Sequence, residues 1–294
     1  HVNGEAIIGN TSLACSGTTE GAQRYNSTSH VMEYCNGTSW VGFGSGVTSN
    51  CPTSDVTSGL VARWKFDESS GTSAADSSGN SLTGTLTNGP VWNPNNGYLN
   101  GALTFDGSND YVTVADPGTG SVLDFAGGTS MTITAWVMMG HDGSLSDFAI
   151  ISKGATTGVD DANYSFFVGG GGSGNFPELR FAFNNPSGTW HDLYGPEVPG
   201  ISFVAFSITF GTANTARFYV NGEEFPAQTL SGTPHTTAPL TQNNPLWIGA
   251  DNEAASGSVN IPFYGNIDDV RIYNRKLTKQ EIRDVYNFTS RACN

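Results

Sequence analysis

The sequence predicts an all-β protein built of two stacked antiparallel sheets, and three observations carry that expectation. Of 294 residues 38 are Gly and only 13% are charged, a composition that favours turns and strands over long helices. From Leu60 onward apolar and polar residues alternate in short runs, the period of a half-buried strand. Gly, Asn and Pro punctuate those runs at regular spacing, which is the pattern of a β-sandwich.

Residues 1–50 read as a small β module, with short strands in AIIG, AQRYN, VMEYC and SWVGFG and a hairpin turn at Asn36-Gly37. So few short strands bury too little apolar surface to stand alone. The module is therefore expected to depend on a disulfide, a neighbouring domain or other copies of itself. The Gly-, Ser- and Thr-rich stretch 44–59 reads as a linker. Residues 51–294 then form the large domain. Its strand-like segments are ALTFDGSNDYVTV, MTITAWVMM, FAIISKG, YSFFVG, LRFAFN, ISFVAFSITF, ARFYVNGEEF, LWIGA and IDDVRIYN. One short helix is predicted at TKQEIRDVYN, where Thr278 and Glu281 have capping-box spacing and Ile282 and Val285 can face the sandwich.

Lys and Arg total 12 against 26 Asp and Glu, a formal charge of −14. That balance repels phosphate backbones and anionic membranes, so no nucleic acid partner is expected. No apolar run approaches the roughly 18 residues of a membrane-spanning helix, so no membrane insertion is expected either. The sequence starts at His1 without a basic-then-apolar leader, which reads as a processed chain or an excised piece.

Cys15, Cys35, Cys51 and Cys293 lack the CxxC pairs of zinc sites and read as disulfides. Of the three connectivities, Cys15 with Cys35 and Cys51 with Cys293 is favoured, the second clamping the two ends of the large domain; four buried thiols are the alternative. Disulfides imply an oxidising compartment, extracellular or at the cell surface.

The order of WKFDESSG, AADSSGN, ALTFDGSNDYVTV, MTITAWV, IISKG, FYVNGEEF, LWIGA and FYGNIDDVRIYNRKLTKQEI resembles the laminin-G-like (concanavalin A-like) jelly-roll over residues 60–288. The resemblance implies a two-sheet antiparallel jelly-roll, commonly a bound calcium, and recognition of glycans or proteins rather than catalysis. GAQRYNSTSHVMEYCNGTSW resembles a short module of phage tail fibres and bacterial surface fibres, which are commonly trimers.

Two constellations stand out. Carboxylates and amides in the turns at Asp76 to Asn80 and Asp106 to Asp110 are the hard oxygen donors that calcium takes. In a regular strand Asp268 shares a face with Val270 and Ile272, and a buried carboxylate needs calcium, backbone amides or an arginine such as Arg63. On the family's habit, the expected ligands are Asp76, Asn80, Asp106 and Asp268. For glycans, which present apolar faces to rings and hydroxyls to polar groups, the expected rim combines Trp190, His191, Asp192 and Tyr194 with Asp160, Asp161 and Asn163 and with Asp251 and Asn252. Trp136 and Trp247 read as core.

Catalytic signatures are missing. The Glu-x-Asp-x-x-Glu strand motif that places two carboxylates on one face, a GxSxG elbow, HExxH and a phosphate loop do not occur. The reading is therefore a non-enzymatic extracellular adhesion module at the tip of a trimeric surface fibre, binding glycans or another surface polymer. Its rivals are a ligand-free filament subunit and a glycan-active enzyme.

Overall fold

The computed structural model describes residues 23–26, 31–35, 40–42, 52–95, 97–118, 120–140, 147–154, 163–169, 177–229, 237, 239–253 and 258–290. The chain divides into two compact units, His1–Cys51 and Pro52–Asn294.

In the small unit β1 (Gln23–Asn26), β2 (Val31–Cys35) and β3 (Trp40–Gly42) form one antiparallel sheet in that order. Cys35 is buried and held in a disulfide. The expected partner Cys15, the pair Cys51 and Cys293, the AIIG segment and the Asn36-Gly37 turn lie outside the described residues.

The large unit opens with β4 (Leu60–Trp64), β5 (Ser73–Ala74), β6 (Gly84–Thr87), β7 (Val91–Asn93), β8 (Ala102–Asp106) and β9 (Tyr111–Val114). There follow β10 (Ser130–Met139), β11 (Phe148–Lys153), β12 (Tyr164–Gly169), β13 (Glu178–Asn184), β14 (Trp190–Glu197) and β15 (Ile201–Thr209). Then come β16 (Arg217–Val220), β17 (Glu223–Pro226), β18 (Gln228–Thr229), β19 (Leu246–Ile248), β20 (Asp251–Glu253), β21 (Ser258–Asn260) and β22 (Tyr264–Tyr273). The chain then enters α1 (Lys279–Thr289).

These strands build an eight-stranded sheet in the order β17-β16-β15-β10-β22-β8-β7, with β4 also on β22, and a nine-stranded sheet in the order β18-β14-β13-β12-β11-β19-β9-β6-β5. Both are antiparallel. The predicted two-sheet jelly-roll sandwich is thus the observed architecture. Between the sheets lies one large core, in which Met131, Ile133, Ala135 and Val137 of β10 meet Phe166, Phe181 and Ile248 from the opposite sheet.

The run TITAWVM is apolar on both faces because both are covered. The outward Trp136 packs with Phe203, Tyr273 and the α1 residues Ile282 and Val285. The helix starts where expected: Thr278 accepts the backbone N–H of Glu281, and the Glu281 carboxylate accepts the Thr278 backbone N–H at 2.9 Å. That reciprocal pair satisfies donors the first turn leaves orphaned.

Two expectations are corrected. Residues 52–59 are no linker: the Asp55 carboxylate accepts from Arg63 at 2.7 Å and from Arg271 at 2.6 Å, and the Tyr273 hydroxyl donates to the Val56 carbonyl at 3.0 Å. A Ser- and Thr-rich stretch looked solvated, but its one acid and one apolar residue dock onto the outer face of β22. The second correction concerns β22 itself. Its register against β10 shifts between Thr134, opposite Arg271, and Trp136, opposite Asp268, and Asp269 has φ +45°. This bulge inserts a residue, so Ile267 and Val270 both point into the core. Asp268 does not share the face of Val270 and Ile272; it lies with Trp136 on the outer side.

Lys153 is the polar exception in the interior. Its ammonium, fully buried, lies 2.8 Å from Asp116 and 3.0 Å from Asp124 and donates to the Gln242 carbonyl.

Candidate functional site

Strand alternation decides which predicted contact residues meet. WHDLYGPE, which carries Trp190, His191, Asp192 and Tyr194 of the expected rim, forms β14 along β13. Period-two geometry therefore splits the cluster. His191 and Leu193 point inward, where the His191 ring stacks on Phe183 at 4.7 Å and burial lowers its pKa. His191 Nε2 also lies 3.0 Å from the Thr237 hydroxyl. This histidine is a core residue and leaves the candidate face.

Trp190, Asp192 and Tyr194 point outward together. Trp190 is 36% exposed and Tyr194 is half-buried. Between them Asp192 is paired with Arg180 of β13, which also lies 3.8 Å from Asp147 and stacks over the Phe167 ring at 5.0 Å. Desolvation raises the Asp192 pKa, and Arg180 opposes that rise. The result is a strip in which two aromatic side chains flank a charged pair on the outer face of the nine-stranded sheet.

Sequence reading missed Arg180 and Phe167. Their signal was present: in YSFFVG and LRFAFN they occupy the alternate, outward positions.

The other predicted contacts do not join this strip by any described interaction. Asp160 and Asp161 lie outside the described residues. Asn163 is buried and donates to the Gln242 carbonyl at 3.0 Å. Asp251 is buried and Asn252 half-buried in β20, paired with β21. Trp136 and Trp247 are buried, as expected, and Trp247 stacks on Tyr111 at 3.8 Å.

The expected calcium ligands do not form one donor set. Asp76 is occupied by the backbone N–H groups of Arg63, Ser78 and Leu82 at 2.9 to 3.0 Å. The Asn80 amide donates to the Val61 carbonyl at 2.9 Å, so it braces the same turn. Asp106 is exposed and accepts from the Ser108 N–H at 2.8 Å, an ordinary Asx turn. Asp268 receives the N–H groups of Tyr98 and Leu99 at 2.9 and 3.1 Å. Among the described residues no three His, Cys, Asp or Glu side chains stand together as a metal site. These four residues do not fit one shared ion; of the partners foreseen for Asp268, backbone amides supply the contacts.

Next to Asp268 the bulge creates a buried charge network. Asp269 accepts from Arg63 at 2.7 Å and from Arg271 at 2.8 Å, and both arginines also hold Asp55. Burial pushes the Asp269 pKa up, but the two guanidiniums outweigh it and hold it below the usual range. Among the described residues Asp268 has no such ion pair. Desolvation raises its pKa to about 8, offset in part by the Leu99 N–H and reinforced by Asp269 and Asp67.

Two apposed antiparallel sheets, closed by one C-terminal helix and carrying a mixed aromatic and charged outer strip, define a jelly-roll β-sandwich. The chain belongs to the concanavalin A-like lectin/glucanases superfamily, whose laminin-G model matches residues 106–283.

Among solved structures, the binding domain of botulinum neurotoxin DC in complex with SialylT is similar with a TM-score of 0.59 at 13% identity, over 81% of this chain and 53% of that one. The same binding domain in complex with rat synaptotagmin II gives 0.58 at 13%, over 81% and 53%. The binding domain of Paraclostridial Mosquitocidal Protein 1 gives 0.56 at 13%, over 78% and 52%. The chain thus spans about half the length of these structures, and the likeness is one of fold. No curated protein sequence matches the chain.

Proposed function

We propose that the large unit is a non-catalytic extracellular recognition module that binds a glycan or another cell-surface polymer on the outer face of the nine-stranded sheet. The observation that carries this reading is the outward alignment of Trp190, Asp192 and Tyr194 beside Arg180. Rings accept the C–H faces of a sugar while a fixed carboxylate–guanidinium pair offers hydrogen-bond acceptors and donors to its hydroxyls. The solved binding domains that share the fold were captured with SialylT and with synaptotagmin II, which is consistent with a sandwich of this kind presenting a recognition surface. Among the described residues no helix is long and apolar enough to cross a membrane.

In this reading the module sits at the tip of a surface fibre. A trimer would multiply weak single sites by proximity without any new contact. Mass in solution by light scattering measures that assembly.

A broad glycan array tests the binding. Selective binding is expected, and Trp190→Ala should weaken it about tenfold, the equivalent of roughly 1.4 kcal/mol from one aromatic contact. A well-folded protein that binds nothing on the array would favour the filament-subunit rival.

A further inference from the structure

Lys153, the last residue of β11, carries its amine into the interior of the sandwich. Its side chain has no exposed surface, and that of Asp116 beside it is 1% exposed. Val114 of β9 pairs with Leu246 of β19, which pairs in turn with Lys153. Asp116, two residues beyond Val114, therefore meets Lys153 across the intervening β19. Tyr164, opposite Lys153 in β12, is buried with them. Burial, and then the charges of Asp124 and Asp116, push its hydroxyl pKa well above the usual range.

The contacts of the amine are unequal. Nζ donates to Asp124 Oδ1 at 3.0 Å and to the Gln242 carbonyl. Asp116 Oδ2 is nearer than Asp124, at 2.8 Å, yet this buried atom receives no hydrogen bond. A purely structural ion pair would aim the third N–H of the ammonium at it, since charge-assisted hydrogen bonds are the strong ones. Instead Nζ meets the Asp116 carboxyl group off the hydrogen-bonding direction. That arrangement suits an amine that holds Asp124 and Gln242 with two N–H groups and turns its lone pair towards Asp116.

We propose that Lys153 and Asp116 condense into an intramolecular isopeptide bond, with Asp124 as the proton relay. The ion pair described above is the state before reaction. Nζ passes a proton to Asp124, and the lone pair so freed attacks Asp116 Cγ. The Nζ–Cγ bond forms and one Cγ–O bond breaks. The oxygen leaves as water with two of the three ammonium protons, relayed through Asp124, which ends as the carboxylate it began as. Nothing is oxidised or reduced, and no further reactant is needed. Two free ions in water do not condense in this way. Groups fixed in contact gain effective molarities on the order of 10⁵–10⁸ M, and the sandwich interior keeps water from reversing the step. The bond ties β9 to β11 across β19, so these strands stay joined after the hydrogen bonds between them are lost.

The test is the intact mass of the full chain, reduced and unfolded after purification. The expected mass is one water below that of the sequence, and proteolysis should release a branched peptide joining the Asp116 segment to the Lys153 segment. Lys153→Arg and Asp116→Ala should each restore the full mass, and Asp124→Asn should leave most chains at full mass. The wild-type mass decides the matter even where a variant fails to fold. Full mass in a wild-type protein that circular dichroism shows to be folded would overturn the bond. So would a water loss that maps to a succinimide at Asp106-Gly107 without a branched peptide. Loss of ammonia with a branch at the buried Asn163 would overturn Asp116 as the acceptor. Chains that have not reacted keep a free amine, and on unfolding only their Lys153 is acylated.

Discussion

Asp268→Asn will stabilise the large unit, and the gain will grow with pH until about pH 8. Asparagine keeps an oxygen to accept the Tyr98 and Leu99 amides and removes the charge that burial disfavours. The direction follows from linkage. The folded pKa is raised to about 8 from an ordinary 3.8. Below pH 4 both folded and unfolded chains hold the proton, and the wild-type residue carries no penalty. Between these values the unfolded chain releases a proton that the folded chain keeps, so stability falls as pH rises. Above pH 8 the whole penalty is present. At about 1.4 kcal/mol per unit, the variant's advantage is on the order of 3–5 kcal/mol at pH 9 and small at pH 4. Urea unfolding of both proteins across that range measures it, and parallel curves would show that Asp268 is not the cause. With millimolar calcium the same curves read the ion: a cation on Asp268 would stabilise the ionised wild type and erase the advantage.

Asp55→Ala should have the opposite effect. It leaves Arg63 and the fully buried Arg271 sharing the single carboxylate of Asp269. Removing one partner of a buried ion network costs about 3–5 kcal/mol, because a charge stays in the interior without compensation. The midpoint of denaturant unfolding should drop accordingly. A loss under about 1 kcal/mol, the range of exposed pairs, would mean that residues 52–59 are a solvated linker after all.

These two residues also mark where the sequence was legible and where it was not. TITAWVM, FAIIS and LRFAF carry their fold in their composition, since runs apolar on one or both faces have few ways to be buried. The helix was equally plain, because Thr278 and Glu281 form a local motif that needs no tertiary information. IDDVRIY misled because a period-two reading assumes a regular strand, whereas the bulge at Asp269 moves Asp268 to the other face. Nothing local announces that insertion; it depends on how β10 and β22 align. Asp55 was missed for a related reason: its partner Arg271 is 216 residues away, and a short acid in a Ser- and Thr-rich stretch looks solvated. At the expected site, Trp190, Asp192 and Tyr194 lie on one face of β14, and His191 lies on the other. Only the assignment of WHDLYGPE to a strand makes that separation, and the segment lacks the apolar alternation that marks the other strands.

The buried ammonium of Lys153 gives the fold a built-in clock. Lys65 and Lys279 are exposed and Lys276 is half-buried, so an amine-acylating reagent reaches these three on the intact protein. Lys153 becomes available only when the sandwich opens far enough to release Asp116, Asp124 and the Gln242 carbonyl together. The rate at which that one lysine is labelled therefore reports opening of the core, not surface reactivity. In any cross-linking or labelling map of this protein, acylated Lys153 marks molecules that have unfolded.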